Sequence, residues 1–158
     1  MNVKDAMSSR LEWVHPTLPL REAARRMRAL NIGCLPVGES GRLMGVITDR
    51  DIVCRCVADG RPFEGAHVYS AMTNGAAWCF EDQDGEAAAE IMRERRVRRL
   101  PVLDRSQRLV GLLPLDDLCG RIPEAVFVAT MNAITSAYRA TAEAQNAATG
   151  KAGAQDPG

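Results

Sequence analysis

One short stretch sets the pattern for the rest of the chain: Gly45-Val46-Ile47-Thr48-Asp49-Arg50-Asp51-Ile52-Val53. Val46 and Ile47 favour a buried strand, because β-branched side chains pack well on a pleated surface. Thr48 is a good helix N-cap, and Asp51 lies one turn further on, where its carboxylate can reach back as in a capping box. The stretch therefore predicts a buried strand that turns directly into a helix.

The turn at Thr48 and Asp51 has two interpretations. The N-terminus of a helix offers unpaired N–H groups and a partial positive charge, which suit a phosphate group. A hydroxyl and a carboxylate in the same turn could then hold a phosphate oxygen and a sugar diol. The alternative is an ordinary capped turn without a ligand, and the stretch taken alone favours this second interpretation.

Most of the chain around this stretch occurs twice. Five landmarks return in the same order: residues 3–7 (Val-Lys-Asp-Ala-Met) as 68–72 (Val-Tyr-Ser-Ala-Met), 13–14 (Trp-Val) as 78–79 (Trp-Cys), 22–24 with Met27 as 87–89 with Met92, 35–37 as 100–102 (both Leu-Pro-Val), and 43–47 (Leu-Met-Gly-Val-Ile) as 109–113 (Leu-Val-Gly-Leu-Leu). Such ordered self-similarity identifies a duplicated unit, here of roughly sixty residues.

Each copy is predicted to fold as strand, helix, strand, strand, helix. In the first copy, a short strand at 12–15 precedes a helix with one apolar face at helical spacing. Residues 34–37 and 43–47 then form a hairpin around a Glu-Ser-Gly turn. Thr48 opens the closing helix.

The second copy follows the same order. A helix through 88–92 precedes a hairpin of 100–103 and 109–113, and a closing helix runs from Pro114 to Gly120. A unit of about sixty residues buries too little surface to be comfortable alone. We therefore expect the two copies to pack on each other as one module.

The predicted organisation has four segments. They are the first unit (1–64), the second unit (65–121), a C-terminal amphipathic helix (122–145) and a disordered tail (146–158). The helix begins at Pro123, and its apolar residues Phe127, Met131, Ile134 and Tyr138 form one stripe. Such a stripe packs on its own domain, which we favour, or on a partner or a second copy of the chain.

Composition excludes several classes of protein. Of 158 residues, 46% are hydrophobic but only 4% aromatic, so the core must be aliphatic. Twenty basic and twenty acidic residues cancel, which gives no global electrostatic reason to bind nucleic acid or an anionic membrane. The chain lacks a run of about eighteen apolar residues, so no membrane span is expected. The N-terminal residues carry no apolar signal region, which favours the cytoplasm.

Neither the cysteines nor the histidines suggest a metal site or an enzyme. The five cysteines form no CxxC pair, and Cys54 and Cys56 should point to different sides of a helix. Cys34, Cys79 and Cys119 lie among apolar residues and are expected to be reduced and buried. The sequence contains no recognisable Ser/His/Asp set or paired carboxylates. We therefore predict no catalytic residue, no metal and no required cofactor.

A run of arginines at 93–99 is the one strong local charge. It suits the solvated end of a helix, where cations complement the helix dipole, and it equally suits contact with phosphate. Because successive strand residues point to opposite faces, only one of Arg98 and Arg99 should face a ligand. Nucleic acid is not favoured, because no aromatic residues for base stacking lie nearby.

With Leu-Pro-Val on its second strand and Gly-Val-Ile-Thr-x-x-Asp at its last turn, the duplicated unit resembles the CBS domain, named after cystathionine β-synthase. Two such units in tandem resemble a Bateman module, and the resemblance covers about residues 3–118. It implies an α/β (α+β) fold of two units that are related by a pseudo-twofold axis and packed through their sheets. In the family, the two clefts between the units bind AMP, ADP, ATP, S-adenosylmethionine or NAD(H).

The resemblance also implies roles for individual residues. Thr48 should face a phosphate and Asp51 the ribose hydroxyls. The pocket for the base would be lined by residues around these positions: Ile32, Gly33, Leu35 and Pro36. Gly33 has no Cβ and would allow a ring to approach the chain closely.

The second copy departs from the pattern. Pro114 stands in the place of Thr48 and Asp117 in the place of Asp51. Proline is acceptable at a helix start but brings neither a hydroxyl nor an N–H. This site keeps a carboxylate for ribose, with Arg98 or Arg99 as a source of charge, or it is empty. We favour one competent site and one degenerate site.

Two functions follow from this resemblance. The first is a non-enzymatic regulatory sensor that binds an adenosine-containing ligand between the units and passes the signal to an unidentified protein partner. The second is a ligand-independent homodimeric interaction module that regulates a partner protein. A homodimer is expected in either case.

Overall fold

The computed structural model describes residues 1–150 and has the mixed α+β architecture that was predicted. The helices and strands of this part of the chain are α1 (Leu20–Leu30), β1 (Cys34–Glu39), β2 (Arg42–Thr48), α2 (Asp49–Ile52), β3 (Thr73–Asn74), β4 (Cys79–Phe80), α3 (Gly85–Arg95), β5 (Arg99–Leu103), β6 (Leu109–Pro114) and α4 (Glu124–Gly150). Short helical turns lie at Val3–Asp5, Val68–Ser70 and Leu115–Leu118, and a π-helical turn at Val53–Val57 continues α2.

The strands form two three-stranded sheets in the orders β1-β2-β3 and β4-β5-β6. β1 and β2 pair antiparallel, as do β5 and β6, which confirms both predicted hairpins. An irregularity interrupts each hairpin at an equivalent place, between Val37 and Gly38 in one and between Val102 and Leu103 in the other. The duplication in the sequence is therefore a duplication of local backbone structure.

The first predicted strand, at 12–15, is wrong. Only a single bridge between Val14 and Val37 remains there, whereas the equivalent β4 pairs with β5 through two residues. In the second copy the N–H of Glu81 continues this pairing by donating to the carbonyl of Leu103 at 2.9 Å. Pro16 stands at the position equivalent to Glu81 and has no N–H to donate, so the strand stops.

The first segment of each sequence repeat packs on the other repeat's core. Val3 donates its N–H to the carbonyl of Gln83, and Val68 donates to that of Leu18 in the equivalent way, at 2.8 and 2.9 Å. Ser8 forms a bridge with β6, just as β3 pairs with β2. The first packed unit is therefore built from about 11–74, and the second from about 75–124 together with the N-terminal segment 1–8. These bodies differ from the segments 1–64 and 65–121 that the repeats suggest.

Two equivalent glycines make room for these crossing segments. A Cβ on Gly45 would lie 2.2 Å from the carbonyl oxygen of Thr73. A Cβ on Gly111 would lie 2.6 Å from the sulfur of Met7 and 3.1 Å from the carbonyl oxygen of Ser8. The glycine that begins the motif at 45–53 is thus required by close backbone approach.

Each packed unit has its own aliphatic core. The first is formed by Val14, Leu20, Ala23, Met27, Leu35, Val37, Ile47, Ile52, Cys56, Val68, Ala71 and Met72. The second is formed by Val3, Ala6, Cys79, Ala88, Ala89, Met92, Leu100, Val102, Leu113, Leu115, Leu118, Ile122 and Ile134. Cys119 was expected to be buried but is exposed, because the closing helix of the second copy is only the short turn Leu115–Leu118.

The C-terminal helix packs on its own domain. Ile134 belongs to the second core, with Phe127 and Met131 packed against it, whereas Tyr138 is 55% exposed. The helix continues beyond the predicted end at 145 to Gly150, because this stretch is rich in alanine, the best helix former. Residues 146–150 of the expected disordered tail are thus helical, and 151–158 lie outside the described residues.

Candidate ligand-binding site

A cavity of about 390 Å³ lies between the two packed units, within the usual range for small-molecule sites. It is lined by residues of both copies and of α4: Gly33, Cys34, Val46, Thr48, Asp49, Arg50, Thr73, Gly75, Ala76, Ala77, Arg95, Arg96, Val97, Arg98, Arg99, Pro101 and Tyr138. The Thr48 turn forms one wall, and the arginine run that was singled out in the sequence forms the opposite wall.

Thr48 caps α2 and lies on the cavity wall. Its Oγ1 accepts the N–H of Asp51 at 3.0 Å, and its own N–H donates to Asp51 Oδ2 at 3.0 Å, which confirms the capping box. The hydroxyl proton of Thr48 is not used by this arrangement. It can therefore be donated to an acceptor in the cavity.

Asp51 lies behind the wall rather than on it. Besides the N–H of Thr48, its carboxylate accepts the hydroxyl of Thr73 at 3.4 Å and lies 3.9 Å from Nε of Arg55. Only 14% of its side chain is exposed. Thr73 does line the cavity, so the carboxylate stands directly behind two wall hydroxyls, and a carboxylate with about four acceptor positions retains capacity for another donor.

Of the four residues expected around the base, only Gly33 lies on the wall. Leu35 is fully buried in the first core, and Ile32 packs against the same core. Pro36 is buried, and its carbonyl accepts the N–H of Val14 at 2.9 Å. Strand alternation explains the position of Leu35, which points to the core while its neighbour Cys34 points to the cavity.

Gly33 allows a close contact with the Thr48 turn. Its carbonyl accepts the N–H of Asp49 at 3.0 Å, and a Cβ at Gly33 would lie 2.7 Å from Asp49 Oδ2. The space at this glycine, where a ring was expected to approach, is therefore taken by the carboxylate of Asp49. Asp49 is a wall residue that the sequence reasoning missed, although it is the first variable position of the Thr-x-x-Asp motif.

The second copy contributes both Arg98 and Arg99 to the wall. The prediction that only one of them would face the site is wrong, because Arg98 precedes β5 and strand alternation begins only at Arg99. Arg98 lies 3.4 Å from Asp116 through Nη2 and Oδ1. Asp117, the expected ribose ligand of this copy, is exposed on the turn Leu115–Leu118 and does not line this cavity.

Cys34 is the buried thiol of the cavity. Burial raises its pKa to about 11, against a smaller lowering by the Arg99 guanidinium, and Asp51 and Asp49 add to the rise. The thiol therefore stays protonated at neutral pH and is a poor nucleophile. Arg99, which stands at the equivalent position of β5, also lines the cavity.

Both copies match one family. The sequence pattern of the CBS domain matches residues 3–57 and again residues 68–124. The chain belongs to the CBS domain family. The two matches cover the two repeats and end where α4 begins, so the cavity described above lies at the junction of a tandem CBS pair.

Relatives match this chain along most of their length. The CBS domain-containing protein YhcV of Bacillus subtilis is 37% identical over 117 residues, which are 74% of this chain and 82% of the relative. Hypoxic response protein 1 of Mycobacterium tuberculosis is 32% identical over 134 residues, or 84% of this chain and 93% of that protein.

Solved structures agree with the fold. The crystal structure of Hypoxic Response Protein I with two coordinated zinc ions has a TM-score of 0.71 and 31% identity, covering 78% of this chain and 100% of that chain. The CBS domain pair of protein MJ0100, in complex with 5′-methylthioadenosine and S-adenosyl-L-methionine, has a TM-score of 0.69 and 27% identity, covering 77% and 98%.

The CBS repeats show no metal cluster within residues 1–150, where no group of three or more His, Cys, Asp or Glu side chains could hold an ion. Within the same residues, no helix combines the length and apolar character needed to cross a bilayer.

The polar groups at the junction of the two repeats are hydroxyls, one wall carboxylate and several guanidinium groups. Tyr138 joins them from α4, and no feature of the CBS repeats predicted it.

Proposed function

We propose that this tandem CBS protein is a regulatory module that binds an adenosine-containing ligand in the cavity between its packed units. One observation carries the proposal: a cavity of about 390 Å³ lies between the Thr48 turn of one repeat and the arginines of the other. The related CBS pair of MJ0100 is complexed with 5′-methylthioadenosine and S-adenosyl-L-methionine, which supports adenosine compounds as the ligand class.

Each wall residue has a role in this proposal. Thr48 donates its free hydroxyl proton to a phosphate or ribose oxygen. Asp51 orients Thr48 and Thr73 and accepts a ribose hydroxyl when Thr73 moves aside. Gly33 and Cys34 border the base, while Ile32, Leu35 and Pro36 support the wall from within the first unit.

The second turn is proposed to be degenerate. Pro114 caps its short helical turn without a side-chain hydrogen bond, and it offers no hydroxyl to a ligand. Asp117 is exposed, so a ribose bound there would remain in water. Arg98 instead serves the composite cavity that Thr48 also lines.

Regulation follows from the position of the ligand. A molecule that contacts both packed units favours the relative arrangement to which it binds more tightly, by no more than its difference in affinity for the two arrangements. The changed surface is then read by a protein partner.

We propose no catalytic step, because the wall hydroxyls and guanidinium groups are binding groups and Cys34 is protonated. The unpaired state of all five cysteines fits a reducing compartment such as the cytoplasm.

The test is thermal unfolding with AMP, ADP, ATP, S-adenosylmethionine and NADH, each at millimolar concentration. A ligand at about 100 times its Kd stabilises the native state by about 2.7 kcal/mol, and for a chain of this size each kcal/mol raises Tm by roughly 2–4 °C. Thr48→Val should reduce the shift, and Thr48→Ser, which keeps the hydroxyl, should retain most of it. If no member of the panel raises Tm, the proposal is wrong.

The alternative is a homodimeric interaction module that works without a ligand. The stripe from Phe127 to Ile134 no longer supports it, because this stripe packs on the chain's own second core. Another observation does: Val53 and Val57, one helical turn apart, are 55% and 57% exposed, and exposed apolar faces mark interfaces.

The molecular mass measured by light scattering tests whether this face forms a dimer. A Val53→Lys, Val57→Lys double variant should be monomeric if this face forms the dimer, and Val128→Lys, which changes an exposed valine on α4, is the matched control. A wild-type chain of monomeric mass would contradict the homodimer in both hypotheses.

A further inference from the structure

The cavity wall carries an excess of positive charge. Its wall includes five arginines, Arg50, Arg95, Arg96, Arg98 and Arg99, against the single carboxylate of Asp49. The chain as a whole has no net charge, so the excess is a local property of this wall. It arises because four of the five arginines come from one short stretch of the second repeat.

Most of these guanidinium groups have no acidic partner. Arg98 lies near Asp116, but this pair is exposed and therefore weak. Arg50 lies over the ring of Tyr138, with 5.5 Å between Cζ and the ring centroid. Within residues 1–150, Arg95, Arg96 and Arg99 form no ion pair.

Helix capping does not account for the whole set. Arg95 is the last residue of α3, where a cation complements the helix dipole. Arg96 already has a left-handed backbone with φ of 55°, and Arg98 and Arg99 lie beyond the end of the helix. In the first repeat the positions equivalent to Arg98 and Arg99 are held by Gly33 and Cys34, so the repeated fold itself does not need arginine there.

We infer that the cavity selects adenosine ligands by negative charge: it takes an adenosine polyphosphate in preference to AMP, and it disfavours S-adenosylmethionine. This inference rests on the proposed function. Guanidinium groups bind phosphate oxygens through paired, charge-assisted hydrogen bonds. Two or three phosphates can satisfy several arginines at once, whereas the sulfonium of S-adenosylmethionine would add a positive charge among them.

The test is isothermal titration calorimetry of the full chain with ATP, ADP, AMP and S-adenosylmethionine. Affinity should fall in that order, with ATP at least about tenfold tighter than AMP, as one additional charge-assisted contact provides. Raising the salt concentration should weaken ATP more than AMP, because the additional contacts are ionic.

Variants locate the effect. Arg99→Gln should weaken ATP about tenfold and AMP much less, and Arg99→Lys should restore part of the loss because it keeps the charge but not the planar fork. The matched control is Arg93→Gln, since Arg93 lies on α3, pairs with Glu90 and does not line the cavity. It should leave both affinities unchanged. Thermal unfolding of each variant without ligand shows that it is folded.

The outcomes separate the two proposals. Equal affinity for ATP and AMP, or tighter binding of S-adenosylmethionine, overturns the charge selection and leaves the adenosine site intact. Binding of none of the four compounds overturns the proposed function itself. Equal effects of Arg99→Gln and Arg93→Gln on ATP would also overturn the inference, because the wall arginine would then act only through overall charge.

Discussion

The turn at Thr48 and the turn at Pro114 occupy the same place in the two CBS repeats. Both residues are extended, with φ and ψ of −117° and 160° for Thr48 and −73° and 147° for Pro114, and both lead directly into a helical turn. Thr48 makes a full capping box with Asp51, and its helix continues to Val57. Pro114 makes no side-chain cap, and its helix ends at Leu118. The fold therefore does not require the hydroxyl at this position.

The comparison also shows that the two repeats contribute different groups to the cavity between them. The first repeat keeps the hydroxyl and places the small residues Gly33 and Cys34 on the wall. The second repeat has lost the hydroxyl and places Arg98 and Arg99 at the equivalent positions. In the proposed function, the first repeat thus supplies room and a hydroxyl group, and the second supplies positive charge.

The largest expected difference between the repeats concerns the equivalent glycines. Gly45→Ala should destabilise the protein by about 2–3 kcal/mol, because the new Cβ meets a backbone carbonyl that moves only with its strand. Gly111→Ala should cost about 1 kcal/mol or less, since its nearest contact is the flexible side chain of Met7. Urea unfolding measures both, and equal costs would contradict the difference in packing.

The two crossing segments should contribute equally to stability, whereas the two turns should contribute unequally. Val3→Ala and Val68→Ala should each cost about 2 kcal/mol, because both side chains are fully buried and each loses two methyl groups and leaves a small cavity. Residues near a chain end usually tolerate substitution. A negligible cost for Val3→Ala in chemical unfolding would show that segment 1–8 does not complete the second core.

The equivalent aspartates of the two turns, Asp51 and Asp117, should again differ in how much they contribute to stability. Asp51→Ala should cost about 1.5 kcal/mol, because it removes an acceptor used by Thr48 and Thr73 and the ion pair with Arg55. Asp117→Ala should change stability by no more than about 0.5 kcal/mol, as expected for an exposed surface residue. The urea concentrations at the midpoint of unfolding measure both costs, provided that the slope of the unfolding free energy against urea is the same in the two variants. A larger loss of stability for Asp117→Ala would mean that the turn at Pro114, and not the turn at Thr48, is the more stable of the two.

The smallest expected difference is at the caps themselves. Thr48→Ala should cost about 1 kcal/mol, the usual value for a lost N-cap. Pro114→Ala should cost less than half of that, since Pro114 has no side-chain cap to lose. Thermal and chemical unfolding of the two variants would measure this difference, and indistinguishable losses would mean that the capping box contributes little.

Local patterns in the sequence predicted the elements of this fold well. The paired landmarks, the hairpins and the capping box depend on neighbouring residues, so the chain reveals them directly. The prediction of a strand at 12–15 was wrong because Pro16 has no N–H to continue the pairing. That effect is visible only once the pairing strand is known. The crossing of segment 1–8 depends on contacts between distant residues such as Val3 and Gln83, for which the sequence holds no local signal.

The candidate site was predicted less completely than the fold. Thr48, Gly33 and Arg98 lie on the wall, whereas Leu35 and Pro36 belong to the interior and Asp117 faces solvent. Asp51 lies behind the wall because its carboxylate is held by the turn that it caps. Tyr138 comes from a helix outside the repeats, so only the tertiary packing of α4 brings it to Arg50.

The crossing of segment 1–8 limits how far the two units can move. The polypeptide passes from the second unit to the first near residue 9 and returns near residue 75, so two covalent tethers span the junction instead of one. A body held by a single tether can swing open like a hinge, but two tethers leave mainly small rotations and shears. In the proposed function, backbone connectivity therefore limits the amplitude of the ligand-driven change, and the proposed partner would read a subtle change in surface shape.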